Sequence, residues 1–212
     1  MAQRTIHYLF GEIIARQMEI EDKARFLLGS IMPDAIEAGD RDASHFKTKT
    51  DTLVYFDFEA YRNLYFDRML QDDLYLGYYM HLVEDAFYRA FIYRDCYTMP
   101  RTPEEVKLLH HDYHILNAYI VRKYQLHNIL KRDIPLEQEP LFGIAHFRIP
   151  EFLEEMSGDF TEQTEGATVF LTESMLDEFM GTYIPLAIEE VECLKKGTSI
   201  LKAMDYAWPR KR

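Results

Sequence analysis

Through the first half of this chain, imidazoles and carboxylates sit among apolar residues. His7 lies within Thr5-Ile6-His7-Tyr8-Leu9-Phe10, and Asp34 closes the segment Gly29-Ser30-Ile31-Met32-Pro33-Asp34. His45 lies between Ser44 and Phe46, and His81 and Asp85 bracket Leu82-Val83-Glu84. Burying such groups is costly unless they are paired or bound to a metal. His81 and Asp85 are spaced i, i+4, so on a helix they project from one face and can grip one cation. Each residue alone has a plainer reading. Asp34 after Pro33 can cap a turn, His7 can be a satisfied core histidine, His45 a surface loop residue, and His81 with Asp85 a hydrogen-bonded pair. Together they make five ligands of hard or borderline type with no thiolate, a set that suits zinc, manganese or iron at a hydrolytic site.

A second cluster, His110-His111-Asp112-Tyr113-His114, follows. On a helix His110 and His114 share a face, which makes them candidates for an additional metal. Alternatively, Asp112 turns inward with His111, the dipeptide of the helical HD-type phosphohydrolases, or the whole run is a solvated helix start. His127 and His146 are isolated and read as structural or surface residues. Lys47, Lys49 and Arg89 are the nearby cations that could hold a phosphate oxygen. Tyr78 and Tyr79 could line a pocket or simply pack.

These residues need helices to position them. Apolar residues recur at three- and four-residue spacings, and strand-type alternation is nearly absent. The pattern predicts helices over residues 5–19, 22–30, 56–70 and 74–93. A further helix, with Thr102 as cap and Pro103 as first residue, is expected to run to about residue 130. A short helix opens at Pro150, and a long one spans residues 172–196, bent at Pro185 and stopped by Gly197. Residues 32–49, 135–140 and 161–168 read as loops, and the basic tail 208–212 as frayed. The expected architecture is an all-α, single-domain helical bundle over residues 1–212, with a metal site in a cleft between helices.

Composition sets the bounds. A chain of 212 residues supports one good-sized core. The formal net charge of -12 argues against nucleic acid as a partner, although bound cations would add positive charge locally. Cys96 and Cys193 form no CxxC and no disulfide framework, so a reducing cytoplasm is the expected setting. No secretory h-region and no membrane-spanning stretch is visible.

At this point the chain resembles the zinc-dependent phospholipase C family, whose superfamily includes zinc-dependent single-strand nucleases. The matching pieces are His7, Phe26-Leu27-Leu28-Gly29-Ser30-Ile31-Met32-Pro33-Asp34, Ser44-His45-Phe46 and Gly77-Tyr78-Tyr79-Met80-His81-Leu82-Val83-Glu84-Asp85, in the family's order over roughly the first 90 residues. The resemblance implies an all-α fold with two or three zinc ions. By position His45, His81 and Asp85 would be ligands, Asp85 bridging two ions. Asp34 would be a ligand or the base that orients water, and His7 would hold a further ion. The family's helical His with Glu four residues on is matched here by His110 with His114, which puts His where Glu belongs. Secreted members also use a processed N-terminal residue as a ligand. Here Met-Ala-Gln-Arg precedes Thr5 without a signal peptide, so a two-metal site, or one metal plus a weak second site, is expected. The chain looks most like small intracellular bacterial members. The expected substrate is a small-molecule or lipid-derived phosphoester, cleaved by metal-activated water. An HD-type phosphohydrolase and a metal-stabilised, non-enzymatic helical binding protein are the competing expectations.

Overall fold

In the computed structural model, residues 2–37, 39–96, 100, 102–130, 134–136, 139–161 and 164–210 are described. They are predominantly helical, with one small antiparallel sheet. The larger helices are α1 (Arg4–Gln17), α2 (Lys23–Ile31), α4 (Phe58–Met69), α5 (Asp73–Ala90), α6 (Pro103–Lys123), α7 (Ile149–Asp159) and α8 (Glu173–Lys195), with a single turn, α3 (Arg41–Ser44), between α2 and the sheet. Helix starts follow capping chemistry. Asp22, Asp57, Asp72 and Thr172 each accept a main-chain N–H at the start of α2, α4, α5 and α8, and Thr102 with Glu105 closes a capping box on α6.

The central element is α5, buried on nearly every side from Leu74 to Tyr88. A helix apolar all round belongs inside a core, and α1, α2, α4 and α8 pack around it. Its closest partner is α2. There the helices meet through reciprocal glycines: a Cβ at Gly29 would lie 2.1 Å from the Leu74 carbonyl oxygen, and one at Gly77 would lie 2.1 Å from that of Phe26. This approach brings the end of α2 against the middle of α5.

Three expectations need correction. The region 32–49 is not irregular throughout: Met32–Asp34 forms a 3-10 turn, α3 follows, and Lys47–Lys49 is strand β1. The sheet was not foreseen. β1 pairs with β2 (Leu53–Phe56), and β2 pairs with β3 (Trp208–Pro209), with Lys47 opposite Phe56 and Val54 opposite Trp208. The strands are too short to establish a period of two in the sequence. The tail is therefore anchored as far as Arg210, whose N–H donates to the Thr52 carbonyl at 2.8 Å, while residues 211 and 212 lie outside the described residues. Helix α6 ends at Lys123 rather than near residue 130, because Gln125 takes a left-handed conformation (φ 52°) that breaks the helical path. Helix α8 runs through Pro185, and Gly197 (φ 77°) follows its end as expected. Of the expected loops at 135–140 and 161–168, residues 137–138 and 162–163 lie outside the described residues. No helix among the described residues is long and apolar enough to cross a membrane.

Candidate metal centre

Four elements deliver the ligand-type residues to one place. α1 carries His7, the 3-10 turn after α2 carries Asp34, the residue after α3 is His45, and α5 carries His81 and Asp85. Local bonds hold the two non-helical contributors. Ser44 Oγ donates to the Pro33 carbonyl at 2.9 Å, and Tyr78 Oη donates to the Ser44 carbonyl at 2.5 Å. Arg148 N–H donates to the Ala35 carbonyl at 2.7 Å, fixing the Asp34 turn to the start of α7.

The imidazoles of His7, His45 and His81 are fully buried, as is the Asp85 carboxylate, and only Asp34 reaches the surface. The His7 and His81 rings stack with centroids 3.9 Å apart. His81 Nε2 lies 3.3 Å from His45 Nε2. The two carboxylates thread between the rings. Asp34 directs Oδ1 at His45 Nε2 (3.3 Å) and Oδ2 at His7 Nε2 (3.5 Å). Asp85 directs Oδ1 at His7 Nε2 (3.7 Å) and Oδ2 at His45 Nε2 (3.5 Å) and His81 Nε2 (3.8 Å).

The outer nitrogens settle the tautomers, since a carbonyl oxygen can only accept. His81 Nδ1 donates to the Ser30 carbonyl at 2.8 Å, and His45 Nδ1 donates to the Arg41 carbonyl at 2.9 Å. With its proton on Nδ1, a neutral ring at either position turns the Nε2 lone pair toward the other Nε2 and the carboxylate oxygens. His7 Nδ1 faces Glu84 Oε2 at 2.8 Å, while His7 Nε2 and Asp85 Oδ2 are buried with no hydrogen-bond partner. Lone pairs and carboxylate oxygens converging in a buried site repel unless a proton or a cation lies among them. An Nδ1–H tied to a carbonyl or carboxylate is also how metal-ligating histidines are oriented.

Electrostatics carry the same signature of missing positive charge. Burial pulls the His7 pKa down, but Glu84, Asp85 and Asp34 outweigh it and raise the group to about 9. Asp34, against the cost of its own burial, is held well below the usual carboxylate range by His45, His81 and His7. Burial and the neighbouring His7 push His81 down, and burial pushes Glu84 up.

The donor set divides into two groups whose ligand atoms lie within 4.8 Å of one another: His7, Asp34 and His81, and His45, His81 and Asp85. His81 has only Nε2 to offer, so it serves one group at a time. Asp34 and Asp85 each turn one oxygen to the His7 side and the other to the His45 side. Either group could hold a divalent cation of the zinc or manganese type through imidazole and carboxylate.

A cavity of about 440 Å³ opens on Asp34, lined by Ala2, Arg4, Arg41, His110, His114 and Phe152, among others. His110 and His114 are exposed on this wall and belong to neither ligand group. Arg41 borders the cavity and donates to Asp34 Oδ1 at 2.8 Å. Lys47, Lys49 and Arg89 line a different cavity. Tyr78 and Tyr79 are buried supports: the first holds Ser44, and the second donates to Glu190 Oε1 at 2.7 Å. His146 is exposed and pairs with Asp40 at 2.8 Å, and His127 is exposed.

Among the described residues, His111 and Asp112 join neither ligand group and turn to different surroundings. His111 is exposed, whereas the buried Asp112 carboxylate accepts from the main-chain N–H groups of Val169, Phe170 and Leu171 at 2.9, 2.6 and 2.9 Å. Asp112→Ala should strand these donors and cost about 3 kcal/mol, at the upper end for a lost charged hydrogen-bond acceptor. Urea denaturation checks this, and an unchanged midpoint would refute the structural role.

Sequence reasoning missed three supports. Glu84 orients His7, and its position beside Asp85 on an apolar helix was the available signal. Arg41 braces Asp34, and nothing in the sequence marks it. The segment before Thr5, from which no metal ligand is expected, reaches the cluster: Ala2 N–H donates to Asp85 Oδ1 at 3.3 Å. A scan against models of protein families finds none that matches the chain, and searches of curated proteins and of solved structures likewise find none.

Proposed function

We propose that this protein is a metal-dependent hydrolase of phosphoesters, built around His7, Asp34, His45, His81 and Asp85. The observation that carries the reading is the convergence of three Nε2 atoms on two carboxylates in a buried cluster, with each outer nitrogen tied back. A divalent ion held there supplies an acidified water and neutralises charge on a phosphoryl group. Asp34, the one partly exposed member, stands where the cluster meets the cavity. Both its oxygens face imidazoles, which favours a ligand role over a base. Arg41, half-exposed on the same wall, is placed to take a phosphoryl oxygen. His110 and His114 would act on the substrate side of the cavity rather than on the ions. The family reading rests on the ordered His7, Pro33-Asp34, Ser44-His45 and His81-to-Asp85 segments, which resemble the zinc-dependent phospholipase C family. With the half-buried free thiols of Cys96 and Cys193, a reducing compartment suits the protein.

The test joins metal content to turnover. Protein purified without chelator should carry about two equivalents of zinc, manganese or iron, consistent with a paired-ion phosphoesterase site. It should hydrolyse a nitrophenyl phosphomonoester or diester, lose that activity on chelation, and regain it with the metal. No metal and no uptake would sink the proposal. Metal without turnover, and unfolding on chelation, would instead indicate a metal-stabilised binding protein.

A further inference from the structure

The sheet edge holds a second, separate concentration of chemistry. A cavity of about 330 Å³ is lined by Lys47, Lys49, Val54, Arg89, Trp208, Pro209 and Arg210, and shares no residue with the cavity over the histidine cluster. Four cations meet there in a chain whose net charge is -12. Their arrangement is a product of the fold. Lys47 and Lys49 are alternate residues of β1 and so lie on one side of the strand. Arg210 follows β3, and Arg89 comes from the last turn of α5. One carboxylate, Asp42, pairs with both lysines, at 3.1 Å from Lys47 and in close contact with Lys49. Arg210 binds only carbonyl oxygens among the described residues, through Nη1 to Thr50 at 3.0 Å and its main-chain N–H to Thr52 at 2.8 Å.

Arg89 is the most telling of the four. Its guanidinium lies 3.9 Å from the Trp208 ring centre and 4.4 Å from that of Tyr93. Stacking of this kind, together with a hydrogen bond to the Tyr93 side chain, holds the plane rigid. Its Nε is buried and has no hydrogen-bond partner. A buried donor of a charged group is expensive to leave unmade, and a multidentate anion would satisfy it.

We propose that this cavity binds a phosphate group, as inorganic phosphate or as the head of a small phosphorylated metabolite. Three positive charges remain after Asp42 is counted, which suits a dianion. The planar arginine edge and two flexible ammonium groups match the acceptor geometry of phosphate. Its volume of about 330 Å³ favours a small molecule over a polymer. The inference does not rest on the hydrolase reading, although Arg89 lies one turn of α5 beyond Asp85 and feels its carboxylate.

Trp208 is the only tryptophan in the chain, so its emission reports on this cavity directly. The as-purified protein is titrated with inorganic phosphate and, separately, with glycerol phosphate, at ionic strength held constant with chloride. A saturable change in Trp208 emission is expected, weakened at least tenfold in the Lys47→Met/Lys49→Met double variant and in Arg210→Met. These side chains lie at the surface, so the circular dichroism of the variants should match wild type. Tighter binding of glycerol phosphate identifies an organic phosphate as the ligand, and tighter binding of inorganic phosphate identifies the free ion. No response beyond that of chloride, a response unchanged in the variants, or a response to a short oligonucleotide alone would overturn the proposal.

Discussion

Asp85→Asn is expected to empty the candidate metal centre. Both oxygens of Asp85 are committed to the cluster, Oδ1 toward His7 and Oδ2 toward His45 and His81. An amide keeps the size and shape but offers one weak, neutral oxygen. Bound metal should fall from about two equivalents to less than one, and phosphoester turnover by about a thousandfold or more, as a paired-ion site loses its shared carboxylate. The change is separable from misfolding, because removing a buried charge also removes repulsion within the metal-free cluster. Metal-free variant and metal-free wild type should therefore melt within a few degrees of each other. In wild type, metal at about a thousandfold over its Kd adds about 4 kcal/mol. That corresponds to a rise in Tm of about 10 °C for a chain of this size. The variant should show almost none of this rise, in scanning calorimetry with and without zinc. A variant that keeps both equivalents and the full thermal shift would remove Asp85 from the ligand set.

The second large effect is expected where two helix backbones meet. Gly77→Ala puts a methyl 2.1 Å from the Phe26 carbonyl oxygen, and Gly29→Ala does the same at Leu74. No rotamer relieves a clash between a Cβ and a neighbouring backbone, so the two helices must separate. Overpacking ordinarily costs about 1–3 kcal/mol, and a backbone clash belongs at or above the top of that range. Either substitution should lower Tm by about 10 °C and weaken metal binding in parallel, because the Ser30 carbonyl that orients His81 follows Gly29 directly. Gly181 is the control. It lies in α8 with open space around its Cα, so Gly181→Ala should stabilise by about 0.5–1 kcal/mol. Equal behaviour of Gly77 and Gly181 in a thermal melt would show that the α2–α5 approach is looser than drawn.

What the chain determined by itself was local. Caps at Asp22, Asp57, Asp72, Thr102 and Thr172 and the apolar periodicity mark the main helices, because helix starts and buried stripes are written over a few neighbouring residues. The metal-type residues His7, Asp34, His45, His81 and Asp85 were legible from a conflict, polar groups in segments that must be buried. Tertiary structure decided which of the candidates meet. It joined these five, placed His110 and His114 on the wall of a cavity, and gave Asp112 to the main chain of residues 169–171. It also separated Arg41 from Lys47, Lys49 and Arg89 as neighbours of the cluster. Nor could the sequence disclose β3, whose two residues form a strand only because β2 offers them a free edge. The reason is the same in each case: distance along the chain sets periodicity and capping, whereas ligand geometry depends on contacts between residues far apart in sequence, such as Ala2 with Asp85, 83 positions on.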